Sequence, residues 1–70
     1  MSVIAENTRR IINERGLKQC AVARKAGYQE KTFYNLLSGR KIITDKDIQA
    51  IAKALQVTPN ELFGYTSKAN

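Results

Sequence analysis

The stretch from Gln19 to Leu37, QCAVARKAGYQEKTFYNLL, constrains the fold of this chain more than any other. Apolar or small residues fall at Val22, Ala23, Ala26, Phe33, Leu36 and Leu37, and Gly27 separates the two halves. This spacing reads as two short helices broken by a tight turn, the pattern of a helix-turn-helix. Ala23 stands where two steeply crossed helices would touch, so a small side chain fits there. Gly27 stands where the chain reverses, and glycine takes positive φ without steric cost. At about 3.6 residues per turn, Phe33, Leu36 and Leu37 share the inward face of the second helix. Lys31, Tyr34, Asn35 and Ser38 share the outward one. A polar face with one cation, one phenol and one amide suits the edges of base pairs in a DNA groove.

Charge gathers at the same place. From Arg15 to Lys41 there are seven basic residues (Arg15, Lys18, Arg24, Lys25, Lys31, Arg40, Lys41) and one acid, Glu30. Outside that window Arg9, Arg10, Lys46, Lys53 and Lys68 balance Glu6, Glu14, Asp45, Asp47 and Glu61. The net charge of +6 thus belongs to the motif and its flanks. Basic charge concentrated around one motif is an electrostatic footprint for phosphate. The plainer reading, a solvated basic face, does not account for the coincidence with the motif.

The segment GLKQCAVARKAGYQEKTFYNLLSGR, Gly16 to Arg40, resembles the helix-turn-helix of the Cro/phage-repressor family, also called the xenobiotic-response-element family of regulators. The matching features are Gly16-Leu17, Gln19, Ala23, Ala26-Gly27, Thr32, Phe33, Leu36 and Ser38-Gly39-Arg40. The resemblance extends over nearly the whole chain. It implies a compact all-α, five-helix lambda-repressor-like domain that binds DNA, usually as a dimer on a partly palindromic operator. One departure stands out. The family often pairs an arginine at the position of Ile12 with a glutamate at that of Leu37. Two aliphatic residues can replace such an ion pair at little cost, so a repacked core of the same fold is expected.

Taken in order, the chain supports that outline. Seventy residues allow one domain. A domain this small is marginal alone, and association would help it. The domain is expected over 1–64, with 65–70 as a loose tail. Ile4, Thr8, Ile11 and Ile12 form one face of a first helix over Val3 to Arg15. Gly16 ends it, and Leu17 is expected to pack inward. The second helix starts at Lys18 or Gln19 and runs to about Lys25. The third starts near Glu30 and covers about 30–37, with a loop from Ser38 to Ile43 after it. Ile42 and Ile43 should anchor that loop to the core. Thr44 caps a fourth helix, with Asp45 and Asp47 in its first turn. Ile48, Ile51, Ala52 and Leu55 are its inward stripe, and Val57 ends it. Thr58-Pro59-Asn60-Glu61 starts a fifth helix over Pro59 to Phe63, closed by Gly64.

The candidate site follows residue by residue. By resemblance, Gln19 would bind a phosphate with the backbone N–H groups that open its helix. Arg40 and Lys41 would bind phosphate across the groove, and Lys18 could add a point charge. Gln29 is a poor N-cap, so its side chain either contacts DNA or leaves the helix start weaker. Ser38 is a further phosphate candidate. Glu30, Lys31, Tyr34 and Asn35 are the candidate base readers. Lys31 suits guanine acceptors, Asn35 adenine and Glu30 the cytosine amine, while Tyr34 suits a thymine methyl or a phosphate. Each also has a plainer reading. Glu30 could only stabilise the helix start, Tyr34 could lie across the helix, Asn35 could take a phosphate, and Lys31 could be surface charge. In this fold dimers usually form around the fifth helix. Pro59, Leu62, Phe63 and Tyr65 are the apolar candidates there, and a dimer would set its two reading helices about 34 Å apart.

Other functions find little support. There is no histidine and one cysteine, Cys20, so neither a Zn²⁺ site nor a histidine-based triad can be built. The four glycines are spaced as helix stops and make no phosphate loop. No cofactor or small-molecule ligand is expected, and an enzyme is not. No apolar run approaches the roughly 18 residues of a membrane span, and MSVIAENTRR lacks the apolar core of a signal peptide. The lone cysteine fits a reducing cytoplasm. Two readings remain: a repressor of phage, plasmid or mobile-element type bound to double-stranded DNA, or a protein-interaction module such as an antitoxin or accessory factor. The basic surround and polar outward face favour DNA.

Overall fold

The computed structural model describes residues 3–64. Five helices follow one another: α1 (Val3–Glu14), α2 (Gln19–Ala26), α3 (Glu30–Ser38), α4 (Asp45–Leu55) and α5 (Pro59–Phe63). No strand occurs among the described residues. α1 packs on α3, α4 and α5, α2 packs on α3 and α4, and α4 packs on α5. The all-α, five-helix expectation is met. The tail expected over 65–70, and Tyr65 with it, lies outside the described residues.

Each helix buries one stripe. α1 contributes Ile4, Ala5, Thr8, Ile11 and Ile12, α2 contributes Val22 and Ala23, and α3 contributes Phe33, Leu36 and Leu37. α4 adds Ile51, Ala52, Ala54 and Leu55. Phe33, Leu36, Leu37, Ile51, Leu55, Leu62 and Thr8 are the largest fully buried side chains. Ile12 and Leu37 are both buried, as the repacked aliphatic core requires.

Local chemistry sets the helix ends. Thr44 accepts from the Asp47 N–H while the Asp47 carboxylate accepts from the Thr44 N–H, so both orphan donors are satisfied. Thr58 and Glu61 repeat the arrangement on α5. α1, α2 and α4 close with a paired 6→1 and 5→2 set of backbone bonds. On α2 these run from Tyr28 N–H to Ala23 C=O at 2.8 Å and from Gly27 N–H to Arg24 C=O at 3.1 Å. Gly27 has φ 89°, which a side chain would strain. On α4 the left-handed residue is Gln56, at φ 58°.

Several expectations at the loops are corrected. α1 stops at Glu14, and Arg15 turns back to donate to the Leu55 carbonyl at the end of α4. Leu17, in the turn between α1 and α2, is 43% exposed and not packed inward. Ile42 is 84% exposed, so only Ile43 anchors the loop to the core. Ser38 belongs to α3, not to the loop. Ile48 is half-buried, and Val57 lies one residue past the Gln56 cap. Leu62 is fully buried and lies in the core. Its place on the inner side of a five-residue helix leaves it no surface to offer a second chain.

Candidate nucleic-acid interface

α2 and α3 meet at the Gly27 turn, and their shared inner side is held by Val22, Ala23, Phe33, Leu36 and Leu37. That packing fixes which residues α3 turns outward. Glu30, Lys31 and Tyr34 are exposed, Tyr34 at 54%, and Asn35 and Ser38 are half-buried. Lys18, Gln29, Arg40 and Lys41 are exposed and Gln19 is half-buried. All these candidates therefore keep some accessible surface.

The helix starts differ in a way that bears on the site. α4 and α5 have threonine capping boxes. At the starts of α2 and α3, the N-cap residues Lys18 and Gln29 make no side-chain capping bond. Orphan N–H groups at a helix start, with the positive end of the dipole behind them, are where an anion is stabilised. The two uncapped starts belong to the two helices of the motif.

The loop after α3 is tied at both ends. The Asn35 carbonyl accepts from the backbone N–H of Arg40 at 3.0 Å and of Lys41 at 3.2 Å. It also accepts from the Ser38 hydroxyl at 3.3 Å. Ser38 thus spends its donor inside the helix, and a phosphate would compete with that bond. At the far end the Asp47 carboxylate accepts from the Thr44 N–H at 2.9 Å and its hydroxyl at 3.0 Å.

Sequence reasoning missed one element of the site. The Tyr28 hydroxyl, in the turn between α2 and α3, donates to the Asp47 carboxylate. The Tyr28 ring leans on Phe33 with centroids 5.8 Å apart. Burial, then the hydrogen bond to Asp47 and its charge, push the Tyr28 phenol far above its ordinary range. Burial pulls Asp47 upward. The Thr44 N–H, the Tyr28 and Thr44 hydroxyls and the Lys41 charge outweigh it and hold the carboxyl below its ordinary value. Tyr28 was legible only as an aromatic beside a turn glycine, and Asp47 only as an acid in the first turn of α4.

Two basic residues serve other ends. Arg15 caps α4 from behind. Arg24 sits 3.5 Å from Glu30, with both side chains about two-thirds exposed at 67% and 64%. A solvated pair of this kind contributes little stability, but it leans a cation over the start of α3.

On another side, Leu36, Lys41, Ile42, Ile43, Ile48 and Phe63 border an open groove of about 480 Å³. Pro59 and Phe63 lie at an adjoining hollow. Among the described residues no three His, Cys, Asp or Glu side chains gather as a metal would require. No helix among them is long and apolar enough to cross a membrane.

Comparison with curated proteins gave no match. Comparison with solved structures gave none either. A model of one family, described as the Cro/C1-type HTH DNA-binding domain, matches residues 7–68, which include all of the α2–turn–α3 unit and the loop beyond it. The chain therefore belongs to the Cro/C1-type helix-turn-helix DNA-binding family.

Proposed function

We propose that this chain is a sequence-specific transcriptional regulator, a dimeric repressor of phage, plasmid or mobile-element type working in the cytoplasm. α3 enters the major groove of a partly palindromic operator. The observation that carries this reading is the outward face of α3, where Glu30, Lys31 and Tyr34 stand exposed between two uncapped helix starts and the basic Arg40–Lys41 loop. Gln19 and Gln29, with the N–H groups beside them, take phosphates. Lys18, Arg40 and Lys41 take phosphates by charge, and Ser38 adds a weaker contact. Glu30, Lys31, Tyr34 and Asn35 read base edges.

The dimer forms over the groove beside α5. Ile42 is the most exposed large apolar residue of the described chain, and Phe63 is 43% exposed beside it. The rim carries one cation, Lys41, and one anion, Asp45. The apolar floor, Ile42 with Ile43, Ile48 and Phe63, is the surface a second copy covers across a two-fold axis. Pro59 extends the apolar surface, whereas Leu62 supports it from the core.

The roles separate in a salt titration. Arg40→Ala or Lys41→Ala should weaken binding to every duplex alike and reduce the salt slope by about one unit. Gln19→Ala should weaken all duplexes while leaving the slope unchanged, since glutamine releases no counterion. Lys31→Ala should cost about 1–3 kcal/mol on the preferred site and relax preference at one position. Unchanged slopes for both loop variants would remove Arg40 and Lys41 from the interface.

A further inference from the structure

The Tyr28–Asp47 hydrogen bond is a polar link between the helix-turn-helix turn and the start of α4, beside the apolar packing of α2 on α4. Tyr28 lies in the helix-turn-helix turn, directly before Gln29, and its backbone N–H is bonded to Ala23 C=O. Asp47 lies in the first turn of α4 and closes the capping box on Thr44. Thr44 ends the segment whose beginning, at Arg40 and Lys41, is fastened to the Asn35 carbonyl of α3. One carboxylate therefore ties the turn, the start of α4 and the far end of the basic loop. Thr44 needs only one carboxylate oxygen, Oδ2, and Tyr28 takes the other, Oδ1. Both oxygens are in use, and the second bond adds nothing to the cap.

We propose that Tyr28 and Asp47 are a positioning pair, which sets the Arg40–Lys41 loop against the α2–α3 turn before DNA arrives. The inference rests on the DNA-binding reading above. The phosphate contacts expected at Gln29 and at Arg40–Lys41 lie at opposite ends of α3, and their spacing must match the duplex backbone. Holding a loop in its bound form removes the entropy of ordering it on association. Without the tether the loop keeps its fastenings to Asn35 and to the Thr44–Asp47 cap, but that cap is no longer tied to the turn. Tyr28 and Asp47 touch no DNA in this scheme and act through Arg40 and Lys41.

The test compares the whole chain with its Tyr28→Phe variant, which keeps the ring on Phe33. An Ile51→Val variant, which loosens the core of α4, controls for lost stability. Affinity for a duplex is measured by fluorescence anisotropy at a temperature where circular dichroism shows each protein folded. Exchange of the Thr44 and Asp47 amides, at the far end of the loop, is followed without DNA. Tyr28→Phe should bind about tenfold more weakly and exchange those two amides faster, while Ile51→Val does neither. In an Arg40→Ala/Lys41→Ala background the same change should have almost no effect on affinity. If Tyr28→Phe does not fold, Asp47→Ala takes its place with the same expected signs, read against Thr44→Val, which removes the cap hydroxyl but leaves the Tyr28 bond. Equal affinity and equal exchange would overturn the positioning role while duplex binding by the parent chain still stood. An undiminished loss in the double-alanine background would overturn it too, because the pair would then act elsewhere. A parent chain that binds no duplex would end the DNA reading and this role together.

Discussion

At the scale of single residues, the least expected is Thr8. Its position on the inward stripe of α1 is legible from spacing, yet its hydroxyl is fully buried and has no hydrogen-bond partner. A buried unpaired hydroxyl costs stability, and nothing in the structure explains why a hydroxyl stands there. Thr8→Val should raise stability by about 1 kcal/mol, read as a higher midpoint in urea. Gln56 is the second case. It is exposed and holds φ 58° at the end of α4, a conformation that disfavours side chains. Gln56→Gly should add roughly 0.5–1 kcal/mol, the strain relieved less the extra freedom glycine gives the unfolded chain. An unchanged or lowered midpoint would contradict either assignment. Single apolar residues outside the regular stripes were the hardest to read from sequence. Leu17, Ile42 and Leu62 are all large and aliphatic, and hydropathy does not distinguish them. Their exposures of 43%, 84% and 0% follow from the tertiary path of the chain.

At the scale of elements, helix starts were legible because a capping box is local. Thr44 with Asp47 and Thr58 with Glu61 lie three residues apart, and both form as the residue types dictate. The stripes were legible for the same reason, since periodicity sets a face. Phe33 is the centre of the α3 stripe and is fully buried. Phe33→Ala should cost about 3–5 kcal/mol, enough to unfold much of a domain this small. A folded variant with a near-parental melting temperature would contradict that. The tether from Tyr28 to Asp47 was not legible, because its partners are 19 residues apart on different elements. It has a pH signature. The folded state holds the Asp47 carboxyl below its ordinary value, so it contributes stability above that value and loses it as pH falls through the lowered one. The stability gap between the parent and Tyr28→Phe should therefore be full at neutral pH and close as pH falls through the carboxylate range. A gap independent of pH would mean that the bond does not depend on the charged carboxylate.

At the scale of the whole molecule, the fold was legible because its signals agree: two halves around Gly27, apolar stripes on α1 to α4, glycines after α1, α2, α3 and α5, and threonine caps before α4 and α5. The site was legible as a face, since helical geometry places Glu30, Lys31 and Tyr34 outward once Phe33 and Leu36 are inward. The loop was legible only as charge. Its fastening to Asn35 and its exposed Ile42 depend on where α3 ends, which spacing alone leaves open by a residue or two. The proposed dimer is a prediction at this scale. Ile42→Asp should shift the chain toward monomer in sedimentation at micromolar concentration, and an unchanged mass would move the interface elsewhere. The central claim is that this face reads a specific DNA sequence. The most direct measurement is selection from random duplex DNA at near-physiological salt, with the enriched pool sequenced. The enriched pool should contain an inverted repeat whose half-sites are centred about one helical turn, roughly 34 Å, apart. A pool with no enriched motif, bound only weakly and lost on adding salt, would contradict it.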